Sequence, residues 1–256
     1  MSGDARADVG VIGGSGFSTF LDVVEEVEVQ TRWGSPSAPV TICDVGGRRV
    51  AFLPRHGPNH CLAPHQINYR ANIDAMRRLR VGALLSPFAA GSLRGDIHPG
   101  DLVVVDQFVD QTRGRADTFH DDFAEGVVHV PLADPYDVDL RSVLVKVGRA
   151  HGFAVQDGGT VVVIGGPRFA TRAESGWYRS AGWHVINMTQ YPEAALAAEA
   201  GVPFAGLALV TDYDSGVEGD QSVAPVTQEA VFAFFEQNIE RLRAVLVDAL
   251  PLIPLQ

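Results

Sequence analysis

Short runs of β-branched and aliphatic residues recur along the chain at lengths that suit buried strands: Val9–Ile12, Val40–Cys43, Val50–Leu53, Val81–Leu85, Leu102–Val105, Val127–Val130, Thr160–Ile164, His184–Met188 and Phe204–Val210. Helical periodicity alternates with several of them. Within residues 65–79, Tyr69, Ile73 and Met76 fall at i, i+4 and i+7, and Leu140, Val143, Leu144 and Val147 do the same within residues 138–150. The last helix is the clearest. Thr227 is placed as its N-cap, Val231, Phe234, Phe235, Ile239, Leu242, Val245 and Leu246 form one apolar stripe, and Pro251 stops it. Alternating β and α elements predict a layered α/β fold with helices flanking a central sheet. The order of strands in that sheet is not given by the pattern.

Composition narrows the class. A chain of 256 residues, 46% hydrophobic and 20% charged, fits one globular α/β domain over residues 1–256. Its formal net charge of −11 argues against nucleic acid or a membrane surface as partner, while leaving room for a small anionic ligand in a locally positive site. Only one basic residue, Lys146, is a lysine, and no glycine-rich loop precedes it, so neither a Walker P-loop nor a Schiff-base lysine is expected. Anion contacts must come from arginine, hydroxyls and backbone amides. Two cysteines, Cys43 and Cys61, are too few for a disulfide framework or a cysteine-rich zinc site. The first residues hold no apolar leader and no run reaches the ~18 apolar residues of a membrane span. A soluble, cytoplasmic protein is therefore expected.

Four segments break the packing pattern. Gly13-Gly14-Ser15-Gly16 follows a strand, where glycines turn amides inward and Ser15 adds a hydroxyl, as in an anion-binding loop or a plain tight turn. Thr19 stands where the third glycine of a Rossmann fingerprint belongs, and Phe17 breaks the nucleophile-elbow pattern. Pro54-Arg55-His56-Gly57-Pro58-Asn59-His60 also follows a strand. Arg55 there suits bidentate pairing with phosphate and His56 a donor, whereas His60 and His65 read as surface or internally satisfied histidines. No metal is expected from these histidines, because Gly57 and Pro58 interrupt the helix that i, i+4 ligands need.

In the third segment, residues 165–175, a Gly-Pro turn puts Phe169 on a loop with its face free for a planar ring, and Arg168, Arg172 and Glu174 read as an ion-paired network shaping that loop. The fourth ends a long apolar strand in Asp212 and Asp214, which in an extended chain point the same way. They are able to share a proton, hold a cation or cap a helix. A further polar strand end, residues 187–193, carries the hydroxyl of Thr189.

Together these segments resemble the trimeric purine nucleoside phosphorylase family, and within it the 5′-methylthioadenosine phosphorylase branch. The matching stretches are VGVIGGSGF (9–17), PRHGPNH (54–60), INYRAN (67–72), AAGSL (89–93), DQFVDQTRGRADTF (106–119), GPRFATRAES (166–175), VINMTQYPEA (185–194) and LVTDYD (209–214), in family order. The resemblance implies a single-domain, three-layer α/β/α fold with a central mixed sheet. It also implies phosphorolysis of a 5′-substituted adenosine to adenine and a ribose 1-phosphate, with phosphate as co-substrate and no cofactor. By the same pattern Ser15, Arg55, His56, Thr189 and the backbone near Ala89 would bind phosphate. Met188 would lie against the ribose and Phe169 against the base. Asp212 would serve purine N7 and Asp214 the 6-amino group. His129 would be lent to the 5′ pocket by a neighbouring subunit of a homotrimer.

Two departures from the family pattern stand out: Phe88 replaces a small polar residue beside phosphate, and Ala170 replaces a hydroxyl residue in the base loop. The segment after the last helix is short, so the preferred 5′ group stays open. Three alternatives are carried forward: a nucleosidase using water, a 6-oxopurine phosphorylase, and a non-catalytic nucleoside-binding module.

Overall fold

All but one of the β-branched runs become strands in the computed structural model, which describes residues 6–14, 23–122, 126–216 and 225–255. The strands are β1 Val9–Gly13, β2 Val23–Val27, β3 Val40–Val45, β4 Arg48–Pro54, β5 Ala83–Ser92, β6 Leu102–Val104, β7 Gln107–Gln111, β8 Val155–Asp157, β9 Thr160–Ile164, β10 Val185–Asn187 and β11 Phe204–Asp212. The helices are α1 Tyr69–Arg78, α2 Val138–Ala150, α3 Arg172–Ser180, α4 Gln190–Glu199 and α5 Gln228–Ala249. The exception is Val127–Val130, which forms no strand: Val127 and Val128 are exposed and find neither a ladder nor a core.

One mixed sheet runs β2-β3-β4-β1-β5-β10-β9-β7, and a branch leaves β5 through β11 and β6 to β8. Alternate strand residues pack on opposite faces, as period-2 geometry requires. Ile12, Leu53, Leu84, Phe88, Ala208 and Val210 meet α1 and α4 in one core. Val9, Val11, Phe52, Leu85, Leu207 and Leu209 meet α2 and α5 in the other. With helices on both faces, the arrangement is the expected three-layer one, and no described helix is long and apolar enough to cross a membrane.

The helix starts follow their caps. Asn68 accepts from the amide of Ala71, Asp137 from Asp139 and Leu140, and Thr227 from Ala230, as the last-helix reading predicted.

The feature that positions the site is an interruption in pairing along β5. On one edge, β11 pairs with it from Leu84 to Gly91. On the other edge, β1 runs parallel to it only through Leu85, and β10 runs antiparallel to it only at Gly91 and Ser92. Residues 86–90 thus have no described strand beside them on that edge. Leu84 N–H bonds toward β11, at Pro203 O, so the odd-numbered Pro87 and Ala89 turn their backbone groups to the open edge. Pro87 has no N–H to leave unpaired there, which makes it tolerable in a central strand. The N–H of Ala89 faces the opening.

Candidate active site

Side chains take the place of the missing strand. Arg55 follows β4, and its Nη1 lies 3.4 Å from Pro87 O. Asn187, at the end of β10, donates from Nδ2 to Ala89 O at 3.2 Å. Gly14, just after β1, comes so close that a Cβ there would sit 2.8 Å from Arg55 Nη1 and 3.1 Å from Pro87 O. Around this opening lies a cavity of about 400 Å³. Arg55, His56, Ala89, Phe169, Met188, Thr189, Asp212 and Asp214, eight of the residues singled out from sequence, all line it. Ser15 lies outside the described residues. His129 is exposed and does not line the cavity of its own chain.

At the anion-binding end the geometry corrects two expectations. Arg55 does not offer its two-nitrogen edge to the cavity. That edge grips Glu193, with Nε to Oε1 at 2.5 Å and Nη2 to Oε2 at 3.0 Å, and both side chains are buried. Nη1, the nitrogen against Gly14, is what remains. His56 places Nδ1 2.8 Å from Leu62 O, and a carbonyl accepts only, so Nδ1 carries the proton. Burial, then the Arg55 charge and His60, push its pKa down to about 3. The ring is neutral at physiological pH, and its second nitrogen is an acceptor rather than the donor expected.

Thr189 is buried just before α4, and Asn187 Oδ1 accepts from the amides of Thr189 (2.6 Å) and Gln190 (2.8 Å). The Thr189 hydroxyl also lies 3.4 Å from Asn187 Oδ1, so the braced turn lines the cavity as one unit.

The acids at the opposite end are not aligned by an extended strand. β11 shifts register between Val210 and Asp212, and Asp214 has left it with a left-handed φ of 54°. Asp214 N instead donates to Asp212 Oδ1 at 2.7 Å, and Thr211 Oγ1 donates to Asp212 Oδ2 at 2.7 Å. Both side chains close on Gly91, where a Cβ would stand 2.9 Å from Asp212 Oδ1 and 3.2 Å from Asp214 Cβ. Burial raises both pKa values, opposed at Asp212 by its two hydrogen bonds. At Asp214 the nearby Ser175 hydroxyl, which is not placed to complete a hydrogen bond, opposes the rise and the Asp212 charge adds to it. Asp214 Oδ2 is buried with no hydrogen-bond partner among the described residues.

Phe169, which is exposed, and Met188 also line the cavity. Met188 packs on Gly166 so closely that a Cβ there would lie 2.7 Å from its sulfur. The predicted ionic network is present in part. Arg168 pairs with Glu174 at 2.7 Å, while Arg172 reaches Ser215 O instead. The segment is also not all loop, because Thr171 and Glu174 close a capping box that starts α3. That Thr-x-x-Glu spacing was a readable signal.

Other residues beside the cavity were assigned no part in it from the sequence. Arg115 donates to the carbonyls of Gly165, Met188 and Tyr191 and lies over the Tyr69 ring, tying three wall segments together. His60, expected to be a bystander, stacks on His56 at 4.0 Å and meets Phe232 edge-on. Gln228, Val231 and Phe232 show that the first turn of α5 leans over the cavity. Its apolar stripe begins there and reaches the core only from Phe235 onward.

Comparison with known proteins gives a consistent result. The model of the phosphorylase superfamily matches residues 8–251. A purine nucleoside phosphorylase from Streptomyces coelicolor is 49% identical over 260 residues, spanning 99% of this chain and 92% of its own. An S-methyl-5′-thioadenosine phosphorylase from Mycolicibacterium smegmatis is 48% identical over 250 residues, 97% of this chain and 92% of its own. Methylthioadenosine phosphorylase from Schistosoma mansoni, solved with adenine, superposes with a TM-score of 0.90 at 35% identity, covering 96% of this chain and 92% of that one.

Proposed function

Because the chain belongs to the phosphorylase superfamily, we propose that it cleaves 5′-methylthioadenosine or a related 5′-substituted adenosine with inorganic phosphate. The observation that carries this reading is one cavity with an arginine, an imidazole, a hydroxyl and an outward-facing amide at one end, and two acids of raised pKa at the other.

Phosphate sits at the opening beside β5, held by Arg55 Nη1, Ala89 N–H and Thr189, with its own P–OH donating to the free ring nitrogen of His56. One phosphate oxygen attacks C1′ as the C1′–N9 bond breaks. The bond's electron pair goes to the purine, and positive charge builds on the ribose. The phosphate dianion stabilises that ribose charge. Asp212, whose carboxyl burial biases toward the protonated form, delivers a proton to purine N7 and neutralises the leaving group. The overall balance closes, since HPO₄²⁻ loses the proton that adenine gains. Met188 supports the ribose and Phe169 the base.

Asp214 reads the 6-position. Its unpartnered Oδ2 is an acceptor suited to the 6-amino group, whereas a 6-oxo group would set two lone pairs against each other. This favours adenine nucleosides over inosine. Phosphate is a co-substrate and no cofactor or metal enters the scheme.

The assembly in this reading is a homotrimer. Supporting it, His129 lies outside its own cavity on a stretch whose Val127 and Val128 are exposed and lack cover. The compartment assigned is the cytoplasm, in keeping with two free thiols, Cys43 and Cys61. The test is adenine release from 5′-methylthio-, 5′-chloro- and 5′-hydroxyadenosine, with and without phosphate. Strict phosphate dependence with the methylthio substrate turned over best is expected. Undiminished turnover in water would make it a nucleosidase, and binding without turnover a non-catalytic module.

A further inference from the structure

Arg55 has five N–H donors in a planar fork. Three of them, on Nε and Nη2, point into the protein, and Nη1 gives a fourth to Pro87 O at 3.4 Å. Nε and Nη2 meet Glu193 edge to edge, and Nη2 also reaches Ser86 Oγ at 2.7 Å and Ile12 O at 2.9 Å. Ser86 is itself fully occupied. It accepts from Arg55 and from Gln190 Nε2 (2.7 Å) and gives its one proton to Glu193 Oε2 at 2.9 Å. Glu193, Ser86 and Gln190 are all buried, so this arrangement has no water to exchange with at its back. The guanidinium is locked, its charge is matched by a carboxylate, and one N–H of Nη1 is what remains for the cavity.

A lone arginine in a desolvated site would attract any tetrahedral dianion through its charge. It would hold ribose 1-phosphate as readily as phosphate. Here the Arg55–Glu193 pair sums to zero and His56 is neutral, so the cradle works through directional hydrogen bonds. We propose that Glu193 is a positioning residue that sets the strength and selectivity of the anion site: it withholds the paired edge and the net charge of Arg55, so that phosphate is bound by geometry and the ribose 1-phosphate made from it is released easily after turnover. The inference rests on the phosphorolytic reading above.

Glu193→Gln keeps the shape and removes the compensating charge, at the cost of the hydrogen bonds accepted by whichever oxygen the amide nitrogen replaces. Adenine release at varied phosphate, with sulfate as competitor, is compared between this variant and the wild-type protein. Folding is checked by circular dichroism and Tm. The expected result is a phosphate KM lowered on the order of tenfold, a lower kcat from slow product release, and a nucleoside KM within about twofold of wild type. Sulfate should become a strong competitive inhibitor. A merely structural role predicts the opposite sign, weaker phosphate binding, and a folded Glu193→Gln with raised or unchanged phosphate KM overturns the proposal.

The wild-type protein supplies a second arm should Glu193→Gln fail to fold. Sulfate cannot donate to His56, so its inhibition constant should exceed the phosphate constant by on the order of tenfold or more. Equal affinity for the two anions overturns the proposal. Phosphate-independent turnover by the wild type would instead overturn the phosphorolytic reading, and is distinguishable because no phosphate KM exists to compare.

Discussion

Asp212 and Asp214 stand two positions apart yet meet different surroundings, because one ends a strand and the other has turned into left-handed backbone. Asp212 spends a lone pair of each oxygen on a short internal hydrogen bond, while Asp214 leaves Oδ2 without one. Asp212→Asn is therefore expected to lower kcat by about 10²–10⁴-fold with little change in nucleoside KM, since it loses proton delivery but keeps the shape. Asp214→Asn should act on selectivity, shifting the methylthioadenosine-to-methylthioinosine ratio of kcat/KM by about 10-fold or more toward the 6-oxo substrate. Both are read from initial rates with the paired substrates. The raised pKa of Asp212 fixes the sign of the pH profile, because activity needs the protonated acid and must fall as pH rises through that value. His56 has the reverse linkage. Its pKa drops from 6.5 to about 3 on folding, so its contribution to stability is complete above pH 6.5 and is lost progressively as pH falls toward 3. Thermal melts of wild type and His56→Asn between pH 7 and 4 check this, with the variant expected to lose less Tm on acidification.

At the scale of elements, the β5 neighbourhood is where small changes have large effects. Gly91→Ala puts a methyl group against Asp212 Oδ1, Ile186 Cγ2 at 3.1 Å and Asp214 Cβ, so strand and acids must separate. A loss of about 10²-fold in kcat/KM is expected at a stability cost of ~1–3 kcal/mol, measured by kinetics and denaturant melts on the same preparation. The strands the sequence pattern revealed are those buried on both faces, where burial demands an unbroken apolar run. The three it missed, β2, β7 and β8, are the ends of the sheet and its branch, half in solvent and mixed in composition. Val127–Val130 shows the converse, an apolar run with no neighbour to pair. Helix α4 was hidden because its first turn is irregular at Tyr191 and follows a polar strand end. Site residues with local motifs were legible as well, being fixed by backbone turns a few residues long. Glu193 and Arg115 were not, since their partners lie 138 residues away at Arg55 and 73 residues away at Met188, and no short-range pattern encodes such a pairing.

For the molecule as a whole, the −11 net charge governs what approaches the surface and says little about the cavity, whose arginine is neutralised internally. The proposed trimer makes a prediction that no single chain can satisfy. Asp212→Asn and His129→Ala proteins are each expected to be impaired, and mixing them after subunit exchange should restore activity. In such mixtures some cavities draw an intact Asp212 from one chain and an intact His129 from another. Absence of recovery in verified mixed trimers would remove His129 from the site. The unpaired stretch of β5 has one more consequence. Strand β1 and strand β10 belong to portions of the sheet that meet only through β5, and the proposed reaction puts an anion and a nucleoside where a connecting strand would otherwise run. Substrate thus becomes the missing rung. Its arrival should slow amide hydrogen exchange at Ala89 and along the facing ends of β1 and β10 together, so that the two portions of the sheet stiffen as one body only while the reaction is under way.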